Sequence, residues 1–238
     1  MEFGGFQKLS LIDYPGKLSA LVFTPGCNFR CPFCHNSDLV LPEKISKLKL
    51  FSEEYILKYL FDNNKKIQAL SITGGEPTVH SDLPEFIAKV KKEGFLVKLD
   101  TNGTNPAMLR ELFKQKLLDY VAMDIKADLS DASAYNKITG KVINDKILSD
   151  MYESIDIIKE SGIPHEFRTT VISGMHSLED LRAICDSIEG ADAYFIQKYI
   201  PENAMDTEFS VMDTIPKEAL DELEPYCSKK VKKFGIRY

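Results

Sequence analysis

Ile67-Gln68-Ala69-Leu70-Ser71-Ile72-Thr73 is a short, mostly apolar run set between two stretches of helical period, Ser52 to Asp62 and Ser81 to Lys92. A run of that length bounded by helices is the pattern of a strand covered on both faces in a parallel sheet. The same beat extends in both directions. Leu18 to Thr24 precedes it as a strand candidate, and Phe95 to Thr101, Tyr120 to Lys126, His165 to Ile172 and Ala193 to Ile200 follow. Helical patterns over Asn105 to Gln115, Asn144 to Ser161 and Ser177 to Ile188 lie between them. Ser52 before Glu53 and Glu54, and Ser177 before Glu179 and Asp180, have the chemistry of N-caps. Strand, helix and strand at this spacing require right-handed crossovers. A last helix near Lys217 to Cys227 and a short strand near Val231 to Ile236 bring the count to six or seven units, where a closed barrel has eight. The sequence therefore predicts an α/β fold: an incomplete (β/α)6-type TIM barrel with parallel strands, in a single domain over residues 1–238. Its core would run from about 18 to 200, with a helix and strand over 216–238. Leu39 to Leu50 and Ala127 to Lys141 are expected to be irregular loops.

Composition bounds what such a chain can be. Of 238 residues, 44% are hydrophobic and 28% charged, and Gly 13, Pro 11 and Cys 5 are modest, which excludes collagen-like, disulfide-dense and charge-rich disordered classes. A chain of this size needs no disulfide staples to fold. The net charge of -6 argues against gripping an extended nucleic acid, which requires clustered Lys and Arg. No stretch of about 18 apolar residues and no basic leader is present, so no membrane association and a cytoplasmic location are expected.

Three of the five cysteines fall within eight residues, in Gly26-Cys27-Asn28-Phe29-Arg30-Cys31-Pro32-Phe33-Cys34-His35-Asn36, directly after the strand Leu18 to Thr24. Parallel barrels carry their chemistry at the carboxyl ends of strands. Three thiolates can wrap one compact centre, and two occupants fit. Structural zinc needs a fourth ligand, and His35, adjacent to Cys34, is poorly placed to supply it. A four-iron, four-sulfur (4Fe-4S) cluster can be held by three cysteines with one iron left open.

Cys27, Cys31 and Cys34, with Phe33 between the last two, resemble the signature of the radical S-adenosylmethionine (SAM) superfamily. Gly74-Gly75-Glu76-Pro77 after the second strand is similar to that superfamily's methionine-binding motif. Thr101-Asn102-Gly103 and Asp124-Ile125-Lys126 end the third and fourth strands. Ser10-Leu11-Ile12-Asp13-Tyr14-Pro15-Gly16-Lys17 and Cys34-His35-Asn36 resemble more narrowly the activating proteins of anaerobic ribonucleoside-triphosphate reductase. The likeness runs from about Phe6 to Tyr199 and fades beyond.

The resemblance implies cofactors and roles. Cys27, Cys31 and Cys34 would hold a 4Fe-4S cluster whose open iron takes SAM, and one electron from the reduced cluster would cleave SAM to methionine and a 5'-deoxyadenosyl radical. Gly74 and Gly75, lacking Cβ atoms, would bring backbone up to the methionine, with Glu76 fixing the turn and facing the ammonium. Asp100 and Asn102 are placed for the ribose hydroxyls; capping the next helix is the alternative for Asn102 or Asn105. Lys126 and Arg168 are each candidates for the methionine carboxylate, or else for an acidic neighbour, and Gln197 and Tyr199 are weaker ones. Phe33 would shield the cluster and touch adenine, having only the cofactor to cover. His80, His165 and His176 show no ligand spacing and are expected at the surface or as caps. Cys185 and Cys227 sit on apolar helical stripes and are expected in the core as two isolated thiols.

With no second cysteine cluster, the resemblance points to a small activase that removes a Cα hydrogen from a glycine of a partner glycyl-radical enzyme, anaerobic ribonucleotide reductase foremost. Reduced flavodoxin or ferredoxin would be the electron donor. The competing expectations are an activase of the pyruvate formate-lyase type, a small-molecule enzyme such as 7-carboxy-7-deazaguanine synthase, and a non-catalytic metal-binding or electron-transfer protein. Glu202, Asp206, Glu208 and Asp213 form either a docking surface or a solvated face.

Overall fold

Strand and helix alternate in a computed structural model that describes residues 1–202 and 204–238. In chain order the elements are β1 (Glu2–Phe3), β2 (Gly5–Ser10), β3 (Ser19–Thr24), α1 (Ser37–Val40), α2 (Pro42–Ile45), β4 (Phe51–Ser52), α3 (Glu53–Asp62), β5 (Ala69–Gly74), α4 (Leu83–Lys92), β6 (Leu96–Thr101), α5 (Pro106–Lys114) and β7 (Tyr120–Asp124). Then come α6 (Ala132–Thr139), α7 (Asp145–Glu160), β8 (His165–Val171), α8 (Leu178–Ser187), β9 (Tyr194–Lys198), α9 (Lys217–Asp221), α10 (Glu224–Cys227) and β10 (Phe234–Arg237). Every expected strand is present within two or three residues of its predicted limits.

The chain's contacts group it into two compact units. The first comprises Met1–Asn28, Asn36–Thr101 and Ala107–Val121, and the second Phe29–His35, Asn102–Pro106 and Ala122–Tyr238. In the first, strands lie in the order β2-β3-β5-β6. β3 pairs with β5 in parallel from Ser19↔Ala69 to Thr24↔Gly74, and β5 pairs with β6 from Ala69↔Leu96 to Ile72↔Leu99. Val22, Ile72 and Leu99 on these strands and Ile56, Leu60, Phe86 and Ile87 on α3 and α4 are fully buried. Each such side chain contributes about 2 kcal/mol of burial. Ser52 caps α3 by accepting from the Tyr55 N–H, as its position before two glutamates predicts.

The strands are mostly parallel, and the exception lies at the N-terminus. β2 pairs with β3 antiparallel, Gly5↔Phe23 to Ser10↔Ser19, with an irregularity between Gln7 and Ser10. β1 and β4 form a separate antiparallel ribbon. The run Ser10 to Lys17 folds back after β2: Ser10 Oγ accepts from the N–H groups of Ile12 and Asp13, and Ser71 Oγ of β5 donates to the Asp13 carbonyl at 3.2 Å. Tyr14 is buried 5.9 Å from the Tyr120 ring, and its phenol is pushed up to about 12 by burial and by Asp119.

In the second unit β8, β9 and β10 are neighbours and all parallel, with Arg168↔Phe195↔Gly235 in one row. Phe167, Tyr194, Ile196, Ile155, Ile158, Leu181 and Ile184 are fully buried or nearly so. Ser177 and Asp180 form a reciprocal capping box on α8. Two expectations are corrected here. Ala127 to Lys141 contains the helix α6, capped by Asp131, which accepts from Ser133 and Ala134, and closed by Gly140 at φ 60°. The helix expected over Lys217 to Cys227 is two short ones, because Pro225 lacks the N–H that a continuous helix would use. Among the described residues no helix is long and apolar enough to cross a membrane.

Candidate functional site

The cysteine loop leaves β3 at Thr24 and is held first by backbone. Gly26 N–H donates to Leu39 O at 2.6 Å, and Gly26 O accepts from Glu76 N–H at 2.8 Å. The ring of His80 reaches Pro25 O at 2.7 Å. Gly75 is required by this approach: a Cβ there would stand 1.9 Å from the Gly26 carbonyl oxygen. Gly74, at φ 126°, is equally constrained, with Thr24 N 2.3 Å from the Cβ it lacks. The Gly-Gly pair thus serves close packing on the loop before Cys27. Glu76 is buried, and its Oε1 accepts from Thr78 N–H, Thr78 Oγ1 and Thr101 Oγ1 at 2.5–3.1 Å. These bonds tie it to the turn that follows β5 and to the end of β6.

In the second unit, the stretch Phe29–His35 is gripped by the end of α6 and by residue 206. Arg30 N–H donates to Thr139 O at 2.9 Å, Asp206 N–H donates to Pro32 O at 2.8 Å, and Cys34 N–H closes a turn on Cys31 O. Cys31 is buried, whereas Cys27 and Cys34 are partly exposed. Phe33 departs from its expected surroundings. It lies edge-on to Tyr199 at 6.3 Å, 6.5 Å from Phe209 and 5.8 Å from Lys126 Nζ, so aromatic neighbours cover it as well as any cofactor. Tyr199 is buried, with its hydroxyl donating to Phe209 O.

Lys126 and Arg168 meet at Asp124. Arg168 Nε donates to Asp124 Oδ1 at 2.8 Å, and Lys126 Nζ stands 3.7 Å from Oδ2. Of the two alternatives for these cations, the acidic neighbour is present. The backbone of Lys126 is bracketed by rings: its N–H donates to the Tyr135 hydroxyl, and its carbonyl accepts from His176 Nε2 at 2.9 Å. His176 Nδ1 accepts from Ile172 N–H, and burial holds this imidazole below its ordinary range. His176 and His165 are therefore buried rather than at the surface, the latter 3.3 Å from Asp192. Asp100 pairs with Lys98 on the same face of β6, and Asn102 Oδ1 accepts from Thr104 N–H and Oγ1, two residues before α5 begins. Gln197 lies on β9 opposite Thr170 and Arg237.

The profile of the radical SAM superfamily matches residues 21–188, which include the three cysteines, the Gly-Gly-Glu-Pro run, Lys126 and Arg168. The chain belongs to the radical SAM superfamily. A protein of Methanocaldococcus jannaschii assigned the name of a glycyl-radical enzyme activating enzyme is 37% identical over 98% of this chain and 94% of its own length. Among solved structures, SuiB of Streptococcus suis bound to its precursor peptide SuiA aligns at a TM-score of 0.69 and 13% identity, over 92% of this chain. The chain spans 48% of SuiB's length. QueE from Escherichia coli aligns at a TM-score of 0.52 and 14% identity over 99% of this chain and 93% of its own. At these identities the two structures speak for the fold alone, an α/β arrangement with mostly parallel strands.

Radical SAM enzymes use a 4Fe-4S cluster and SAM, and this chain is an enzyme of that kind. Among the described residues no three His, Cys, Asp or Glu side chains are gathered as they would be round an ion. The match of Cys27, Cys31 and Cys34 to the cluster rests on donor chemistry: soft thiols spaced in one loop, without the carboxylates that a hard cation prefers. Cys185 and Cys227 are fully buried as expected but are not isolated from one another. The neighbouring Cys227, with burial, pushes the Cys185 thiol up. In the sequence Asp124 reads only as part of the run ending the fourth strand and His176 only as a surface or capping residue, while Tyr135, Glu166 and Arg237 go unassigned. Only Glu166 gave a signal there, an acid two residues before Arg168 on the same strand face.

Proposed function

We propose that this protein is a radical SAM activase that removes a hydrogen atom from the Cα of a glycine in a partner glycyl-radical enzyme, with anaerobic ribonucleoside-triphosphate reductase as the first choice of partner. The observation that carries it is the 37% identity to the M. jannaschii activating enzyme over nearly the whole of both chains. The Ser10 to Lys17 run supports the reductase within that class.

In this reading Cys27, Cys31 and Cys34 hold the cluster and Gly74 to Glu76 receive the methionine moiety. Asp100 or Asn102 takes the ribose, Phe33 the adenine, and Lys126, Arg168 and Gln197 the carboxylate side. When bound, the cluster and SAM supply a 5'-deoxyadenosyl radical at the expense of one electron from a reduced flavodoxin or ferredoxin, with methionine released. The partner's glycine gives up a hydrogen atom, leaving 5'-deoxyadenosine and a glycyl radical. The chain's own contribution is positional. Lys126 and Arg168 are oriented by Asp124, so an arriving carboxylate meets cations already fixed in place and need not order them. Glu76 keeps the turn after β5 rigid through three hydrogen bonds from Thr78 and Thr101.

The test is anaerobic incubation of the reconstituted, reduced protein with SAM and the reductase, read by electron paramagnetic resonance. A glycyl doublet together with 5'-deoxyadenosine is the expected outcome. A doublet only with a pyruvate formate-lyase-type enzyme would reassign the partner, and no 5'-deoxyadenosine under any condition would defeat the proposal.

A further inference from the structure

The segment where family likeness fades brings a charged side chain to Arg168. β10 pairs with β9 so that Gly235 lies beside Phe195 and Arg237 beside Gln197. Gly235 leaves space for the Phe195 ring, whose Cε1 is 3.0 Å from the position a Cβ would take. The Arg237 guanidinium lies over that ring with Cζ 3.7 Å from its centroid. From there it reaches Glu166 as a fork, Nη1 to Oε1 at 3.1 Å and Nη2 to Oε2 at 2.7 Å. Glu166 is 2% exposed, so its charge needs an answering cation. Its Oε1 is also 3.8 Å from Arg168 Nη1, beyond hydrogen-bond reach, while Arg168 Nε is bonded to Asp124. The result is a row of alternating charges, Arg237, Glu166, Arg168, Asp124, Lys126, drawn from β10, β8 and the end of β7.

We infer that Arg237 is a positioning residue for the SAM carboxylate: by satisfying both oxygens of Glu166, it leaves Arg168 turned toward Asp124, where the amino-acid end of SAM is to be recognised. This rests on the proposed role of Arg168. With Arg237 removed, the Glu166 charge is met by Arg168, and the guanidinium turns away from its partner on β7. Arginine is required here because a lysine cannot make the fork or stack on Phe195 in the same plane.

The experiment measures equilibrium binding of SAM and of 5'-methylthioadenosine, which lacks the amino-acid end, to the full-length reconstituted protein and to Arg237→Gln, Arg237→Lys, Glu166→Gln and the double variant Glu166→Gln, Arg237→Gln. Arg237→Gln is expected to weaken SAM binding by about tenfold, the scale found for partners that orient a liganding group. Binding of 5'-methylthioadenosine should stay unchanged, and Arg237→Lys should recover only part of the SAM affinity. Glu166→Gln removes the charge that would draw Arg168 away, so it should leave SAM affinity near the wild-type level and should restore it in the double variant with Arg237→Gln, and Arg237→Lys decides the matter should Arg237→Gln fail to fold. Equal loss for both ligands would mean a general structural role and would overturn the inference, as would SAM binding at the wild-type level in Arg237→Gln or a double variant no tighter than Arg237→Gln. If the wild-type protein itself binds no SAM, the functional proposal falls, an outcome distinct from wild-type binding with unresponsive Arg237 variants.

Discussion

Replacing Gly75 with alanine should cost far more stability than its place in a turn suggests. The added Cβ would stand 1.9 Å from the Gly26 carbonyl oxygen and 2.6 Å from its carbon, both backbone atoms that no rotamer can move aside. Since such atoms rest roughly 3.5 Å apart, the end of β5 must retreat by about 1.5 Å. That movement stretches the 2.8 Å bond from Glu76 N–H to Gly26 O past its limit. Overpacking of about 2 kcal/mol and a lost hydrogen bond of about 1 kcal/mol give about 3 kcal/mol in all. For a chain of this length that is a fall of about 9 °C in Tm. Gly162→Ala is the control. Gly162 has a φ of 74° but nothing within 4 Å of its missing Cβ, so only backbone strain of about 1 kcal/mol, or about 3 °C, is expected. Anaerobic thermal melts followed by circular dichroism on the cluster-free protein make the comparison without interference from the cofactor. A Gly75→Ala melt no lower than that of Gly162→Ala would refute the steric account of the Gly-Gly pair.

Two further outcomes are expected. Because burial lowers the affinity of His176 for its proton, the unfolded chain binds one that the native state does not, over the window from the ordinary value of 6.5 down to the lowered one. Stability should therefore rise with pH across that window and be lost as pH falls below 6.5, and His176→Gln should flatten the slope in urea melts between about pH 7.5 and about pH 5.5; parallel profiles for variant and wild type would contradict this. The double substitution Cys185→Ala, Cys227→Ala should leave the iron and sulfide content after reconstitution unchanged, whereas Cys31→Ala should abolish cluster uptake; loss of iron from the double variant would mean that the buried thiols take part in the site.

The central strands could be read from sequence because parallel strands covered on both faces carry mostly apolar side chains on either face, as Ala69, Leu70 and Ile72 show. β2 escaped because Gln7, Lys8 and Leu9 face outward from an edge, which leaves no such run. α6 escaped because Ser133, Asn136 and Thr139 are poor helix formers, although Asp131 and Gly140 marked its ends. At the site, the three cysteines and the Gly-Gly-Glu-Pro run are local patterns, and a linear search finds them. The neighbours of Phe33, the pairing of Cys185 with Cys227 and the link from Arg237 to Glu166 join residues far apart in the chain. The first two need the packing of helices and loops in the folded chain, and the third needs strand register, which is set by the whole sheet.

The division into two units carries a consequence for how such a protein can change. The chain passes between them at residues 28/29, 35/36, 101/102, 106/107 and 121/122, so neither unit is a contiguous stretch of gene. No single cut releases either one, and no single fusion junction can exchange one for a relative's. Exchange of one unit alone by a single recombination event is closed to this connectivity, so the two units are inherited together.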